Sequence, residues 1–455
     1  MTRQPTATCR ALFLAAPASG QGKTTLTAAL ARLLRQQGQR VRVFKTGPDY
    51  LDPLILSQAS GQPAEQLDLW MAGSAWCQQR LYEAALESDI ILVEGVMGLH
   101  DGTPSSADLA IEFGLPLALV MNVKGMAQTV GALAMGLASY RPELQVVGVI
   151  ANGCGTARHR ELIADALPAN LPLWAAVPRD PEMTLPERHL GLVQAEEIAD
   201  ELEQRFNYGA QRLAEAGILE ALATHLPEVT FQPTHVALPI GQPLAGQRVA
   251  IARDAAFSFI YAANVDLLIQ LGAECVYFSP MHDSELPPCD AIWLPGGYPE
   301  LHATQLAANT AIKTAIAAHH AAQKPILAEC GGLLYCLETL TDQEQQTHPM
   351  LGLLTGHGHM HGRRGCQGMQ TAVFPEGEVR AHAHHRSRAE HTPEPIGYGR
   401  RQKHPAPGEA IYRQHRLTAT YLHLFFPNQP EVVAALLQAQ PSLTPAPRSV
   451  THAIE

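Results

Sequence analysis

The segment Ala16-Pro17-Ala18-Ser19-Gly20-Gln21-Gly22-Lys23-Thr24-Thr25 has the residue types and spacing to hold a phosphate. It follows the pattern Gly-x-x-x-x-Gly-Lys-Ser/Thr, with Pro17 where the first glycine would stand. Gly20 and Gly22 let backbone N–H groups turn toward a phosphate. Lys23 supplies a point charge, and Thr24 offers a hydroxyl to Mg²⁺. Ser19, Gly20, Gln21, Gly22, Lys23, Thr24 and Thr25 are therefore the expected ATP-binding residues.

Three acidic positions sit after strand ends, where open α/β sheets bind ligands. One group lies in Lys45-Thr46-Gly47-Pro48-Asp49-Tyr50-Leu51-Asp52-Pro53, a second is Glu94, and the third is Asp101. A nucleotide phosphate with Mg²⁺ needs hard oxygen ligands beyond Thr24, and Asp49 and Glu94 are the candidates. Lys45 is suited to stabilising charge on a transferring phosphoryl group. Asn152 could read adenine through its side-chain amide.

A second chemistry is written further along. Ala328-Glu329-Cys330-Gly331-Gly332-Leu333 places a cysteine on a strand-to-helix turn followed by small residues, the pattern of a nucleophile elbow. A helix N-terminus behind Cys330 is expected to lower its thiol pKa. Gly296 and Gly297, in Leu294-Pro295-Gly296-Gly297-Tyr298-Pro299-Glu300, could aim N–H groups at an oxyanion. His423 is the expected base, distant in sequence as such partners often are. The other seven cysteines read as ordinary buried thiols.

The elements that must position these residues follow from apolar periodicity. The first half alternates buried-strand runs, among them 11–15, 41–44, 90–93, 117–120 and 146–150, with helical stretches. That alternation predicts an α/β fold with a doubly wound parallel sheet. Leu26, Ala29, Leu30, Leu33 and Leu34 predict a helix after the phosphate loop, stopped at Gly38. A helical pattern ends near 210–222. The Pro- and Gly-rich stretch from Pro227 to Gly246 then reads as a linker. A second α/β pattern follows, with strands expected at 248–252, 275–278, 291–294 and 325–328. The organisation expected is therefore 1–226, a linker at 227–246, a second domain at 247–440 and a frayed tail at 441–455.

The chain has 455 residues and a formal charge of -11, with no basic stripe, which argues against a nucleic-acid partner. No apolar run is long enough to span a membrane. Eight scattered cysteines without Cys-x-x-Cys pairs read as reduced thiols, hence a cytoplasmic location.

Together these residues resemble the cobyrinic acid a,c-diamide synthases. The blocks that carry the resemblance are the proline-started loop, the Lys-x-Gly-Pro-Asp-Tyr-Leu-Asp-Pro run, Glu94-Gly95-Val96-Met97-Gly98-Leu99-His100-Asp101-Gly102, and the Gly-Gly-Tyr-Pro-Glu and Cys-Gly-Gly pair. The resemblance implies a P-loop domain like that of dethiobiotin synthetase joined to a class I glutamine amidotransferase domain of flavodoxin-like build. It implies that Cys330, activated by His423, releases ammonia from glutamine. ATP would phosphorylate a corrinoid carboxylate, and ammonia would displace the phosphate at the a and c side chains. Tyr50, Leu51, Asp52 and Asp101 would then contact the substrate.

Two departures stand out. Phe425 occupies the position where many class I amidotransferases carry the acid of a triad. Ala383, in Arg380-Ala381-His382-Ala383-His384-His385, replaces a glutamate common in this family. His357, His359 and His361 alternate as on one face of a strand and could bind a metal. Competing readings are the same amidation on hydrogenobyrinate or nickel sirohydrochlorin, a partition-type regulatory ATPase, and a biotin-pathway ligase. The last two have no use for the Cys330 elbow.

Overall fold

The computed structural model describes residues 5–185, 187–188, 191–192, 198–234, 241–360 and 366–439. His361 and the tail at 441–455 lie outside this set, as do residues 235–240 of the expected linker. Two compact units divide the chain between residues 237 and 238, with Tyr261–Ala263 counted in the first.

The first unit runs β1 (Ala7–Ala15), α1 (Lys23–Gln36), β2 (Val41–Thr46), α2 (Asp52–Ser60), β3 (Glu65–Leu67), α3 (Ser74–Glu87), β4 (Ile90–Glu94), α4 (Ser106–Glu112), β5 (Leu117–Asn122), α5 (Thr129–Ser139), β6 (Val146–Cys154), α6 (Ala157–Ala166) and β7 (Leu173–Pro178). A two-residue ladder, β8 (Glu187–Arg188) with β9 (Gly191–Leu192), precedes α7 (Ala199–Glu215), α8 (Ile218–His225) and β10 (Glu228–Phe231). Strand order is β3-β2-β4-β1-β5-β6-β7, and these neighbours run parallel.

The physical reason for the sheet is that its central strands are buried on both faces. Along β1, Phe13 and Ala15 join a core with α3 to α6, while Leu12 and Leu14 face α1, α2, α7 and α8. Phe13, Leu12 and Leu14 each contribute roughly 1.5–3 kcal/mol by leaving water. The helical pattern near 210–222 is two helices, broken at Gly217, whose φ of 86° is open to glycine. Part of the expected linker is a strand: β10 pairs antiparallel with the start of β1, because Val229 and Phe231 alternate as a strand does.

The helix behind the phosphate loop is clasped firmly. The buried Arg32 makes a two-pronged ion pair with Glu203 on α7, at 2.5 and 2.8 Å, and donates to Ala59 O of α2. Bidentate geometry of this kind fixes orientation as well as distance.

The second unit has β11 (Arg248–Ala252), α9 (Ala262–Gln270), β12 (Glu274–Phe278), β13 (Ala291–Leu294), α10 (Ala303–Ala308), α11 (Thr310–Ala321), β14 (Ile326–Glu329) and α12 (Gly331–Cys336). Then come β15 (Thr339–Thr341), β16 (Thr347–Pro349), β17 (His357–Met360), β18 (Gln367–Phe374), β19 (Gly377–His384), β20 (Ser387–Glu390), β21 (Gly397–Arg401), β22 (Pro407–Gln414), β23 (Leu417–Thr420), β24 (His423–Leu424) and α13 (Pro430–Leu437). Its main sheet has the order β12-β11-β13-β14-β23-β22-β21-β18-β19-β24. The first five strands are parallel and the rest antiparallel.

Candidate active sites

In the first unit, β1 ends at Ala15 and α1 begins at Lys23. The turn between them is possible because Gly20 and Gly22 take φ of 75° and 87°. Gly22 is constrained twice, since a Cβ there would lie 2.3 Å from Asn152 Nδ2. That amide donates to Gln21 O at 2.9 Å, and Gln21 Oε1 accepts from the Asn122 N–H at 2.8 Å. Gln21 thus anchors the loop to the ends of β5 and β6.

The charged groups beneath the loop are already paired. Lys45 Nζ lies 2.6 Å from Glu94 Oε1 and 2.7 Å from Asp52 Oδ2. The Thr24 hydroxyl reaches Glu94 Oε1 at 2.7 Å and Asp52 Oδ2 at 3.2 Å. Burial opposes the Lys45 charge, but Asp52 and Glu94 outweigh it and hold the ammonium well above its ordinary range. Lys23 is pushed the other way, down to about 8, by burial and then by Lys45. Its Nζ donates to Met97 O at 2.7 Å.

Asp49 stands one step back from Thr24. Its Oδ1 accepts the N–H groups of Leu51 and Asp52, both at 3.0 Å, which closes the turn leading into α2. Burial, followed by the neighbouring Asp52, raises the Asp49 carboxyl to about 7. The residue that meets Thr24 together with Glu94 is Asp52, expected from the family resemblance to contact substrate. The other oxygen of Glu94, Oε2, is buried with no hydrogen-bond partner among the described residues.

A cleft of about 650 Å³ opens over this cluster. Ser19, Gly20, Gly22, Lys23, Thr24, Thr25, Lys45, Asp49, Asp52, Glu94 and Asn152 line it. Gln21, Tyr50, Leu51 and Asp101 do not. Tyr50 and Leu51 are buried, and Asp101 accepts the Gly98 N–H at 3.1 Å, closing its own turn. Asn122, Lys124, Arg179 and Asp180 also line the cleft, although sequence reasoning passed over them. They follow strand ends, and that position was the available signal.

In the second unit, Cys330 caps the junction of β14 and α12 with φ 46° and ψ -100°. A non-glycine residue in that region is strained, as a nucleophile elbow requires. The expected depression of its thiol pKa is not found. The helix behind it has only six residues, and burial, followed by the charge of Glu300, pushes the thiol up. His423 is buried and driven well below its usual value, first by burial and then by His382, His384 and His385. The pair is therefore neutral at rest.

Gly296 and Gly297 join these two residues. A Cβ on Gly296 would lie 2.2 Å from His423 Cε1, so this glycine makes room for the imidazole. The Gly296 carbonyl accepts from Phe259 N at 3.0 Å. Gly297 approaches the elbow: its nitrogen lies 3.0 Å from where a Gly331 Cβ would stand. Glu329 Oε1 accepts the Leu424 N–H at 3.2 Å, tying the residue before Cys330 to the residue after His423. Burial raises that carboxyl to about 8. Phe425, at the position of the missing triad acid, is fully buried.

His361, one of the three histidines expected on one strand face, lies outside the described residues. Among the described residues no three His, Cys, Asp or Glu side chains are grouped to hold an ion. His357 is bonded to Thr339 Oγ1 at 3.0 Å. His382 pairs across the sheet with His423, and His385 stacks on Tyr421 at 3.9 Å between ring centroids.

With this geometry in place, similarity to known proteins is specific. Residues 12–193 match the CobQ/CobB/MinD/ParA nucleotide binding domain, and residues 248–431 match the CobB/CobQ-like glutamine amidotransferase domain. The chain is 52% identical to the hydrogenobyrinate a,c-diamide synthase of Stutzerimonas stutzeri, over 94% of this chain and 99% of the relative. It is 50% identical to the enzyme of that name from Pseudomonas aeruginosa, over 95% and 98%. It is 44% identical to the cobyrinate a,c-diamide synthase of Herminiimonas arsenicoxydans, over 96% and 98%. The chain therefore belongs to the a,c-diamide synthase family, ligases that use ATP and take their nitrogen from glutamine.

Proposed function

We propose that the chain amidates the a and c side-chain carboxylates of a corrin ring acid in cobalamin biosynthesis. The observation that carries this reading is the coexistence, on one chain, of a phosphate loop over the Lys45–Asp52–Glu94 cluster and a strained, buried Cys330. The ring acid favoured is the cobalt-free hydrogenobyrinate, because the relatives at 52% and 50% identity bear that name and the one at 44% bears cobyrinate. The eight free thiols fit a reducing, cytoplasmic setting.

In the first unit, ATP would lie along the loop with its phosphates at the N-terminus of α1. Thr24, Glu94 and the adjoining Asp49–Asp52 pair would hold Mg²⁺, and the orphaned Oε2 of Glu94 suits a hard cation. Bound there, Mg²⁺ would neutralise phosphate charge. Lys23 would leave the Met97 carbonyl to meet phosphate. Lys45, held charged, would face the equatorial oxygens of the transferring phosphoryl group. The substrate carboxylate attacks the γ-phosphorus, ADP leaves and an acyl phosphate forms.

In the second unit, His423 takes the Cys330 proton as Sγ attacks the glutamine carboxamide. The Gly297 N–H would receive the oxyanion. The C–N bond breaks, the proton passes to the leaving nitrogen, and ammonia departs. Water then cleaves the thioester to give glutamate. Ammonia displaces phosphate from the acyl phosphate and yields the amide.

The test is a mass-spectrometric assay with ATP and glutamine against cobalt-free and cobalt-bearing ring acids. Two successive amidations, faster on the cobalt-free acid, are expected. No amidation of either acid would end the proposal.

A further inference from the structure

Glu300 is a buried acid near Cys330 to which the mechanism gives no part. Glu300 sits in the tight turn Pro299–Leu301 that follows Gly297, and it is only 7% exposed. The turn is pressed against the elbow: Pro299 Cδ lies 3.0 Å from where a Gly331 Cβ would be. Among the described residues no cation pairs with the Glu300 carboxylate. Its carboxylate takes a hydrogen bond from its own backbone N–H, whereas two other buried or half-buried acids of the unit reach other residues. Glu329 receives the Leu424 amide, and Glu409 is 3.2 Å from His385.

A carboxylate taken out of water without a cation is costly. Here burial raises Glu300 to about 7, and after burial its charge is the largest influence acting against the Cys330 thiolate. A fold that keeps an acid in such a place beside its nucleophile leaves a position for a cationic ligand. Glutamine brings one, since its α-ammonium lies a few bonds from the carboxamide that Cys330 must attack.

We infer that Glu300 receives the α-ammonium of glutamine and so selects this substrate over carboxamides that lack the amino group. The assignment rests on the glutaminase reading of Cys330 given above. It has a further consequence. An ammonium docked on Glu300 cancels the charge that most opposes the thiolate, so the nucleophile is eased only when the right substrate is bound.

The experiment compares the full chain and its Glu300→Gln variant on L-glutamine and on 4-carbamoylbutanoate, which keeps the carboxamide but lacks the amino group. Ammonia release is measured, alongside ammonia-supported amidation of the ring acid. The unaltered enzyme should prefer glutamine by about 30-fold or more in kcat/KM, the range for a buried charge pair losing one partner. Glu300→Gln should lose most of that factor on glutamine, hold or raise the rate on the analogue because the charge opposing the thiolate is gone, and keep ammonia-supported turnover. Glu300→Asp should recover part of the preference. Equal losses on both amides would make Glu300 a packing residue and overturn the inference. So would an unaltered enzyme that hydrolyses both amides equally, a result that needs no variant to fold. An unaltered enzyme inert to glutamine yet active with ammonia would instead strike the glutaminase reading, and the inference with it.

Discussion

The two sites solve opposite electrostatic problems. In the first unit, Lys45, Asp52, Glu94 and Thr24 stand in contact before any substrate arrives, with a permanent cation between two carboxylates. In the second, burial drives the Cys330 thiol up and the His423 imidazole down, so the proposed nucleophile and base carry no charge at rest. Phosphoryl transfer is mostly positioning and charge stabilisation, so fixed charges serve it. Thiolate chemistry in a dry pocket is safer held in reserve, since a standing thiolate would react with whatever enters.

That contrast is broken most severely at Lys45. Lys45→Met should abolish ring amidation with either nitrogen source, by more than about 1000-fold, because it removes transition-state charge stabilisation. It also leaves Glu94 and Asp52 facing one another, at a cost of about 3–5 kcal/mol in stability. Ammonia release from glutamine should persist and report that the second unit is folded. Survival of ammonia-supported amidation would show that Lys45 is merely structural.

Cys330→Ala should be nearly as severe, but with one nitrogen source only. Glutamine-supported product should fall about 1000-fold or more while the ammonia-supported reaction is spared. Equal loss of both would return Cys330 to the core and dissolve the contrast.

Gly296→Ala tests how the imidazole is held. The added methyl would meet His423 Cε1 at 2.2 Å. A displacement of this order costs about 100-fold in a positioned reaction. Glutamine hydrolysis should drop by that factor, with ammonia-supported turnover unchanged; an unaffected glutaminase would show that the ring moves aside freely.

The neutral state of the pair can be read from pH. Burial raises the Cys330 thiol, so its thiolate fraction grows about tenfold per pH unit while pH stays below that raised value. His423 is lowered, so no imidazolium is present near neutrality to hold a thiolate. Alkylation of Cys330 by iodoacetamide, followed on its peptide, should therefore climb steadily from about pH 6 to about pH 9. A plateau reached below neutrality would reveal a thiolate–imidazolium pair.

Much of this was legible in the sequence, for a physical reason. Strands buried on both faces leave unbroken apolar runs, so residues 90–93 and 291–294 fell inside β4 and β13. Glycine-bearing turns that meet ligands are equally visible, hence the loop at Gly20–Gly22 and the elbow at Cys330. What stayed hidden depends on distance in space. Nothing near Gly296 in sequence says that it borders His423. The shortness of α12 and the depth of Cys330, which together reverse the expected thiol shift, are tertiary facts. Asp52 and Asp49 lie within one turn of each other, so only the fold could show that Asp52 reaches Thr24. Lys124 and Arg179 carry no motif, and only the sheet brings them to the cleft.

Asn152 offers the smallest and finest test. It was read from the sequence as an adenine reader, and the structure gives it a second task, since Nδ2 braces Gln21 O and fills the space above Gly22. A primary amide carries two donors and an acceptor, so one N–H on the loop does not exhaust it. Asn152 also lines the cleft. Both tasks predict a higher KM for ATP in Asn152→Ala, but they differ for GTP. If Asn152 reads the base, the preference for ATP over GTP should narrow by about 10-fold, one hydrogen bond to the base being lost. If it only braces the loop, both nucleotides should weaken alike and the preference should stand. Steady-state KM values for the two nucleotides, with ammonia as nitrogen source to keep the second unit out of the measurement, decide between them.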